Sequence, residues 1–249
     1  MTQSRLSKTL LGLTLACAGF SANAYLIDFT TSDWSLANNE QSYTKEFTEG
    51  DITFYVQLEA FNSSYNDLYL STFEGYDGGT NTDYCRSGGP LRCNIDGVGV
   101  KRLNSTRDDE VSNNELLKVS FLDANKELAS VNVDSIFLLD LFPATECGVQ
   151  DDSAYFSLVF DGNETSSDCI YTDERTRGGF YTIDENWGLS GVADSLLFWG
   201  DDFALAGINI SEDVVTTFGM PIPVSEPETM AMFGLGLMGL GLASRRRKK

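Results

Sequence analysis

Short apolar runs at a period of two residues recur along the interior of this chain, and no interior stretch carries the 3.6-residue period of a long amphipathic helix. That pattern confines the chain to β-architectures. The clearest run is Ile52-Thr53-Phe54-Tyr55-Val56-Gln57-Leu58-Glu59-Ala60, in which every second side chain from Ile52 onward is apolar. Similar runs span residues 25–29, 68–73, 98–103, 116–122, 135–142, 155–160, 179–183, 195–199 and 203–210. Clusters such as Asp77-Gly78-Gly79-Thr80-Asn81 and Asp161-Gly162-Asn163 separate them and supply turn residues. Residues 115–122 can be wound into a helix on paper, but Val119-Ser120-Phe121 favours a strand. About ten short strands with frequent turn signals predict an all-β fold, an antiparallel two-sheet β-sandwich of jelly-roll-like type.

Both ends depart from this pattern. Residues 1–24 contain Arg5 and Lys8, an apolar run over 10–18, and Ala22-Asn23-Ala24. That is a secretory signal peptide with an A-x-A site, and cleavage after Ala24 leaves Tyr25 first. Cys17, preceded by Leu15-Ala16, is the looser lipoprotein alternative. At the other end, Val224-Ser225-Glu226-Pro227-Glu228-Thr229 precedes fourteen uncharged residues, 230–243. Ser244 and Arg245-Arg246-Arg247-Lys248-Lys249 follow. The uncharged run is short of the ~20 residues that span a bilayer. Four glycines and the lack of a polar face make it a poor helix for a soluble core. Five consecutive cations act as a stop on the cytoplasmic side. The expectation is a short transmembrane helix that holds the chain in the membrane before processing. Gly234-Leu235-Gly236-Leu237-Met238-Gly239 also fits the G-x-G-x-x-G pattern, but it lacks the strand, amphipathic helix and acidic residue which that motif requires. The chain therefore divides into a signal peptide (1–24), a β-sandwich domain (25–212), a linker (213–225) and a C-terminal signal (226–249).

The tail resembles the PEP-CTERM sorting domain of exported proteins from Gram-negative bacteria that make exopolysaccharide. The resemblance rests on Glu226-Pro227 ahead of a Gly/Leu-rich segment and an Arg/Lys-rich end. Ser225 stands where that family usually has a first proline, and Pro221 and Pro223 keep the approach extended. The resemblance implies that an exosortase-like enzyme cuts near the motif and releases or transfers the body. Signal peptidase and that enzyme are then the processing partners. The implied route crosses the inner membrane, with transient anchoring there, and ends at the cell surface or outside. A weaker resemblance lies in the body. Gly97-Val98-Gly99-Val100, Asp108-Asp109-Glu110-Val111, the segment from Asn114 to Phe121, and Gly200-Asp201-Asp202-Phe203 look like stretches of other exported sandwiches with this tail. It implies that Asn114 and Glu115 cap the start of a core strand.

Charge sets further limits. Of 17 Lys and Arg, two lie in the leader and five in the tail, leaving ten in the body. Of 37 Asp and Glu, only Glu226 and Glu228 lie beyond Ser225, leaving 35. Such a body repels nucleic acid and anionic membrane surfaces. With Cys17 in the leader, four exported cysteines remain, and disulfides are their default state. Three pairings exist, of which Cys85 with Cys93 and Cys147 with Cys169 are the local closures.

The chain contains no histidine. That removes Ser-His-Asp and Cys-His catalysis and His-ligated zinc. No P-loop pattern occurs. Paired carboxylates survive as a glycosidase-type alternative, although so acidic a chain offers such pairs by chance. Trp34, Trp187, Trp199 and Tyr76 are candidates for stacking on sugar rings, against the commoner explanation of burial. Candidate calcium ligands are Asp108, Asp109, Asp201 and Asp202, with Glu110, Asp151 and Asp152, but none builds the D-x-[DN]-x-[DN]-G loop. Sequons at Asn62, Asn104, Asn163 and Asn209 read as accidental in a bacterial export context. The leading reading is a non-catalytic cell-surface or matrix protein associated with exopolysaccharide or biofilm. The alternatives are a carbohydrate-active enzyme with paired carboxylates and a calcium-dependent glycan-binding module.

Overall fold

The structure is a computed structural model, and it describes residues 25–49, 52–62, 68–72, 85, 89–102, 110–112, 114–141, 153–171, 179–185, 189 and 191–211. The signal peptide, the linker and the C-terminal signal lie outside the described residues, as do Trp187, Tyr76, Asp108, Asp109, Asp151, Asp152 and Cys147. No helix among the described residues is long and apolar enough to cross a membrane.

The elements are β1 (Tyr25–Asp28), a 3-10 helix η1 (Ser32–Ala37), β2 (Ser42–Glu49), β3 (Ile52–Phe61), β4 (Leu68–Ser71), β5 (Gly99–Arg102) and β6 (Leu116–Leu122). There follow β7 (Val131–Leu139), β8 (Ser153–Phe160), β9 (Asn163–Ser166), β10 (Tyr181–Ile183), β11 (Gly191–Ala193), β12 (Ser195–Asp201) and β13 (Ala204–Ile210). All ladders are antiparallel. One sheet runs β2-β3-β6-β12-β8-β9, the other runs β1-β13-β7-β10 with β11 also on β7, and β4-β5 form a small ribbon. The expected all-β antiparallel sandwich is what the chain forms.

The period-two pattern explains the six-stranded sheet. Phe54, Val56 and Leu58 of β3 are buried, as are Leu117, Val119 and Phe121 of β6 and Leu196 and Phe198 of β12. They share one core with Ile27, Val133, Ile136, Leu138, Leu205 and Ile208 of the facing sheet. Alternating burial of this kind is what drives two half-apolar sheets together. The five-stranded sheet is different, because its outer face is covered as well. Leu91 and Phe180 pack there on Phe137, Leu139, Ala204 and Ala206. Burial on both faces is why residues 136–139 read as a continuous apolar run rather than an alternating one.

The strap carrying Leu91 is tied down by polar groups. The Asp28 carboxylate accepts from Thr30 N at 2.9 Å, Thr30 Oγ1 at 2.5 Å and Arg92 N at 2.8 Å. Thr30 Oγ1 in turn accepts from Cys93 N at 2.8 Å, and Cys93 is disulfide-bonded to Cys85. Cys169 is also disulfide-bonded.

Four elements went unread in the sequence: η1, β2, β9 and β11. β7 begins at Val131, four residues before the expected start. In β2, Lys45 occupies an inward position opposite Val56, which hides the alternation. Its ammonium sits 4.9 Å from the Trp34 ring centre and 3.2 Å from Asp33 Oδ2. The β8–β9 hairpin turns on Asp161 and Gly162, at φ 49° and 73°. Positive φ at both positions suits an Asp-Gly turn between right-twisted strands, so the cluster read as a loop is the tip of a hairpin.

Candidate functional site

The outer face of the six-stranded sheet presents a set of partly exposed side chains. Its side chains alternate with the buried ones. β3 contributes Tyr55, Gln57, Glu59 and Phe61, β6 contributes Leu116 and Lys118, and β12 contributes Leu197 and Trp199. Two rows cross the strands. In the first, Ser42 stands opposite Glu59, Glu59 opposite Lys118, Lys118 opposite Leu197, and Leu197 opposite Ser157. In the second, Phe61 stands opposite Leu116, and Trp199 stands opposite Tyr155. Leu116 and Trp199 lie one residue beyond the Leu117–Phe198 pair, so the second row is continuous across four strands.

The second row is aromatic and apolar. The Tyr155 and Trp199 rings are stacked, with centroids 5.7 Å apart and planes within 5°. Both are half-buried, and Phe61 is 37% exposed. The first row is polar on β2, β3 and β6, and continues into Leu197 and the buried Ser157. Lys118 Nζ lies 3.4 Å from Glu59 Oε2, with each side chain about one-third exposed. At the β2, β3 and β6 end of the rows lies a depression of about 480 Å³ lined by Gln41, Ser42, Glu59, Ala60, Phe61, Asn62 and Lys118. Further along the face, Glu46 stands opposite Tyr55. Burial, then the neighbouring Glu46 charge and hydrogen bond, hold the Tyr55 phenol above its usual range.

The sequence candidates fall in different places. Trp34 is fully buried. Its indole Nε1 donates to the Asp28 carbonyl at 2.9 Å, and its ring packs on Phe29, Tyr43 and Phe47. As a sugar-stacking candidate it is corrected to a core residue. Trp199 alone of the named aromatics lies on an open face among the described residues. Asp201 ends β12, half-buried, and Asp202 follows in a left-handed turn at φ 51°. The Asp202 carboxylate accepts from Ser112 Oγ at 3.1 Å. No cluster of three or more His, Cys, Asp or Glu able to hold a metal occurs among the described residues. At the start of β6, Asn114 takes φ 68°, and the buried Glu115 accepts from Ser112 N at 3.0 Å. Sequence reasoning missed Tyr155 and Phe61, because only the register shows that they join Trp199 and Leu116 in one row.

A second depression, of about 460 Å³, lies beside β7 and β11 and gathers Asp134, Asp184 and Glu185. At the same end of the five-stranded sheet, Tyr25 stands opposite Ile210. The first and last strands therefore have their outer ends side by side.

Comparison with known proteins yields one family match. Residues 223–248 match the PEP-CTERM protein-sorting motif. No curated protein matches the chain. Among solved structures, a DUF4465 family protein from Bacteroides ovatus is similar at 12% identity and a TM-score of 0.33, covering 77% of this chain and 99% of that one.

Proposed function

We propose that this is an exported cell-surface or extracellular-matrix protein, sorted by an exosortase-like system, whose β-sandwich acts as a non-catalytic module associated with exopolysaccharide or biofilm. The observation that carries the reading is the sorting motif at residues 223–248. The A-x-A leader at the other end supports it, since both ends place cations in the cytoplasm and the body outside. The register supports it too. With Tyr25 opposite Ile210, the leader and the tail join the domain at one end, which suits a body held against a single membrane face. The lack of histidine in the whole chain favours a binding or structural role over hydrolysis.

The test is to delete residues 226–249, and separately to inactivate the host's exosortase, then follow the mature mass and cell fraction of the protein. The expected result is retention in the membrane without the enzyme, and a changed destination without the tail. An unchanged mature mass and location in both strains refutes the reading.

A further inference from the structure

We infer that the outer face of the six-stranded sheet binds an uncharged, linear polysaccharide laid across the strands along the two rows described above. The inference rests on the reading of the body as a non-catalytic exported module, and names the ligand class its open face would take.

Three observations carry it. First, Tyr155, Trp199, Leu116 and Phe61 place an apolar strip across four neighbouring strands, beside a row that is polar on β2, β3 and β6. A pyranose presents a C–H face that packs on an aromatic ring, whose own face is electron-rich. Half-buried rings that are already stacked lose little rotamer freedom when a ligand arrives. Second, hydrogen-bonding groups lie beside the Phe61 and Leu116 end of the strip, whereas the adjoining row beside Trp199 and Tyr155 holds Leu197 and the buried Ser157. Glu59 accepts, Lys118 donates, and Gln41, Ser42 and Asn62 can do both, around a depression of about 480 Å³. That volume is within the range of small-molecule sites, and a polyol chain over the strip turns its hydroxyl edge toward it.

Third, charge selects the ligand. The depression's cation and anion are 3.4 Å apart and neutralise each other, so the row offers donors and acceptors without a net charge. The chain carries a formal net charge of −20, which opposes a polyanion. A peptide is a poorer fit, because strand addition needs unpaired backbone at a sheet edge. Here β3, β6, β12 and β8 are all paired on both sides.

The test is affinity electrophoresis of the full chain in a neutral detergent, through native gels cast with laminarin, lichenan, xyloglucan, galactomannan or dextran, and with alginate as the polyanion. At least one neutral polymer should retard the protein. Trp199→Ala should weaken that retardation about tenfold or more, about 1.4 kcal/mol, while Trp199→Phe keeps most of it. Thermal melts of each variant show whether it is folded. If Trp199→Ala does not fold, Lys118→Gln on the half-exposed polar row serves instead, and should also weaken binding. No retardation by any neutral polymer, retardation by alginate alone, or equal retardation of wild type and folded variants overturns the inference. So does a dimer lost in Trp199→Ala, which would make the face a self-contact. Sorting is read from a different fraction of the cell, so this result can fail while the sorting proposal stands.

Discussion

Replacing Gly97 by alanine tests whether the segment leading into β5 approaches β13 as closely as the geometry requires. Gly97 has φ 108°, and a Cβ there would lie 2.4 Å from the Leu205 carbonyl oxygen and 3.0 Å from its carbon. Those atoms are backbone, so no side chain can swing away. The same carbonyl accepts from Val98 N at 2.9 Å, and Leu205 N donates to Val98 O at 2.9 Å. Making room for the methyl group parts this pair. Two hydrogen bonds cost about 0.5–1.5 kcal/mol each, and a left-handed non-glycine residue costs about 1–2 kcal/mol. The sum is about 2–5 kcal/mol, a large share of the roughly 5–15 kcal/mol that stabilises a domain. At about 2–4 °C per kcal/mol for a chain of this size, the melting temperature should fall by roughly 10 °C. The assay is thermal unfolding by circular dichroism. Gly162→Ala is the control, since Gly162 also has positive φ (73°) but no atom lies within 4 Å of its Cβ position. It should lose only the conformational part, about 1–2 kcal/mol. If Gly97→Ala melts within about 2 °C of Gly162→Ala, the steric argument is wrong.

Two further outcomes are expected. Trp34→Phe removes the indole donor to the Asp28 carbonyl and leaves a gap beneath Lys45. It should lower stability by about 2–4 kcal/mol, seen as a lower urea midpoint at unchanged slope, and an unchanged midpoint refutes the core role. Asp123 accepts from the backbone N–H groups of Glu127 and Asn125 at 2.9 and 2.8 Å. The bond from Glu127, foremost, holds its carboxyl below the usual range. A depressed folded-state value means that its stabilisation is present above the unfolded value, near pH 4, and is lost as pH falls through the folded one. The stability gap between wild type and Asp123→Asn should therefore close on acidification below about pH 4, and a gap independent of pH refutes the assignment.

The sequence announced strands where one face is buried and the other wet. β3 and β6 alternate cleanly, and their positions were readable from 52–60 and 116–122. β7 was begun four residues late: Val131-Asn132-Val133-Asp134 alternates in burial, but the continuous apolar run from Ile136, where Phe137 and Leu139 are covered as well, dominates the local pattern. β9 escaped because all four of its residues are exposed and carry no apolar period. β2 escaped because Lys45 faces inward, where aromatic rings and Asp33 offset its burial. The candidate surface was half legible. Trp199 could be named from composition, but its partners come from β8, β6 and β3, up to 138 positions away at Phe61. The sorting motif was the most readable part, because contiguous flanks and charges are local, whereas a binding face assembled by register is not.

The place of β13 in the five-stranded sheet bears on the order in which this protein becomes whole. It is the last described strand in the chain, yet it lies between the first strand and β7. A chain emerging from its N-terminus leaves β1 without its neighbour until residues 204–210 arrive. Until then the slot beside Ile27 and Ile136 stands open, and the apolar surface that β13 covers faces solvent. Completion of the body thus waits on the segment next to the sorting signal. A copy truncated before that point leaves the apolar edge of β1 and β7 without the strand that covers it.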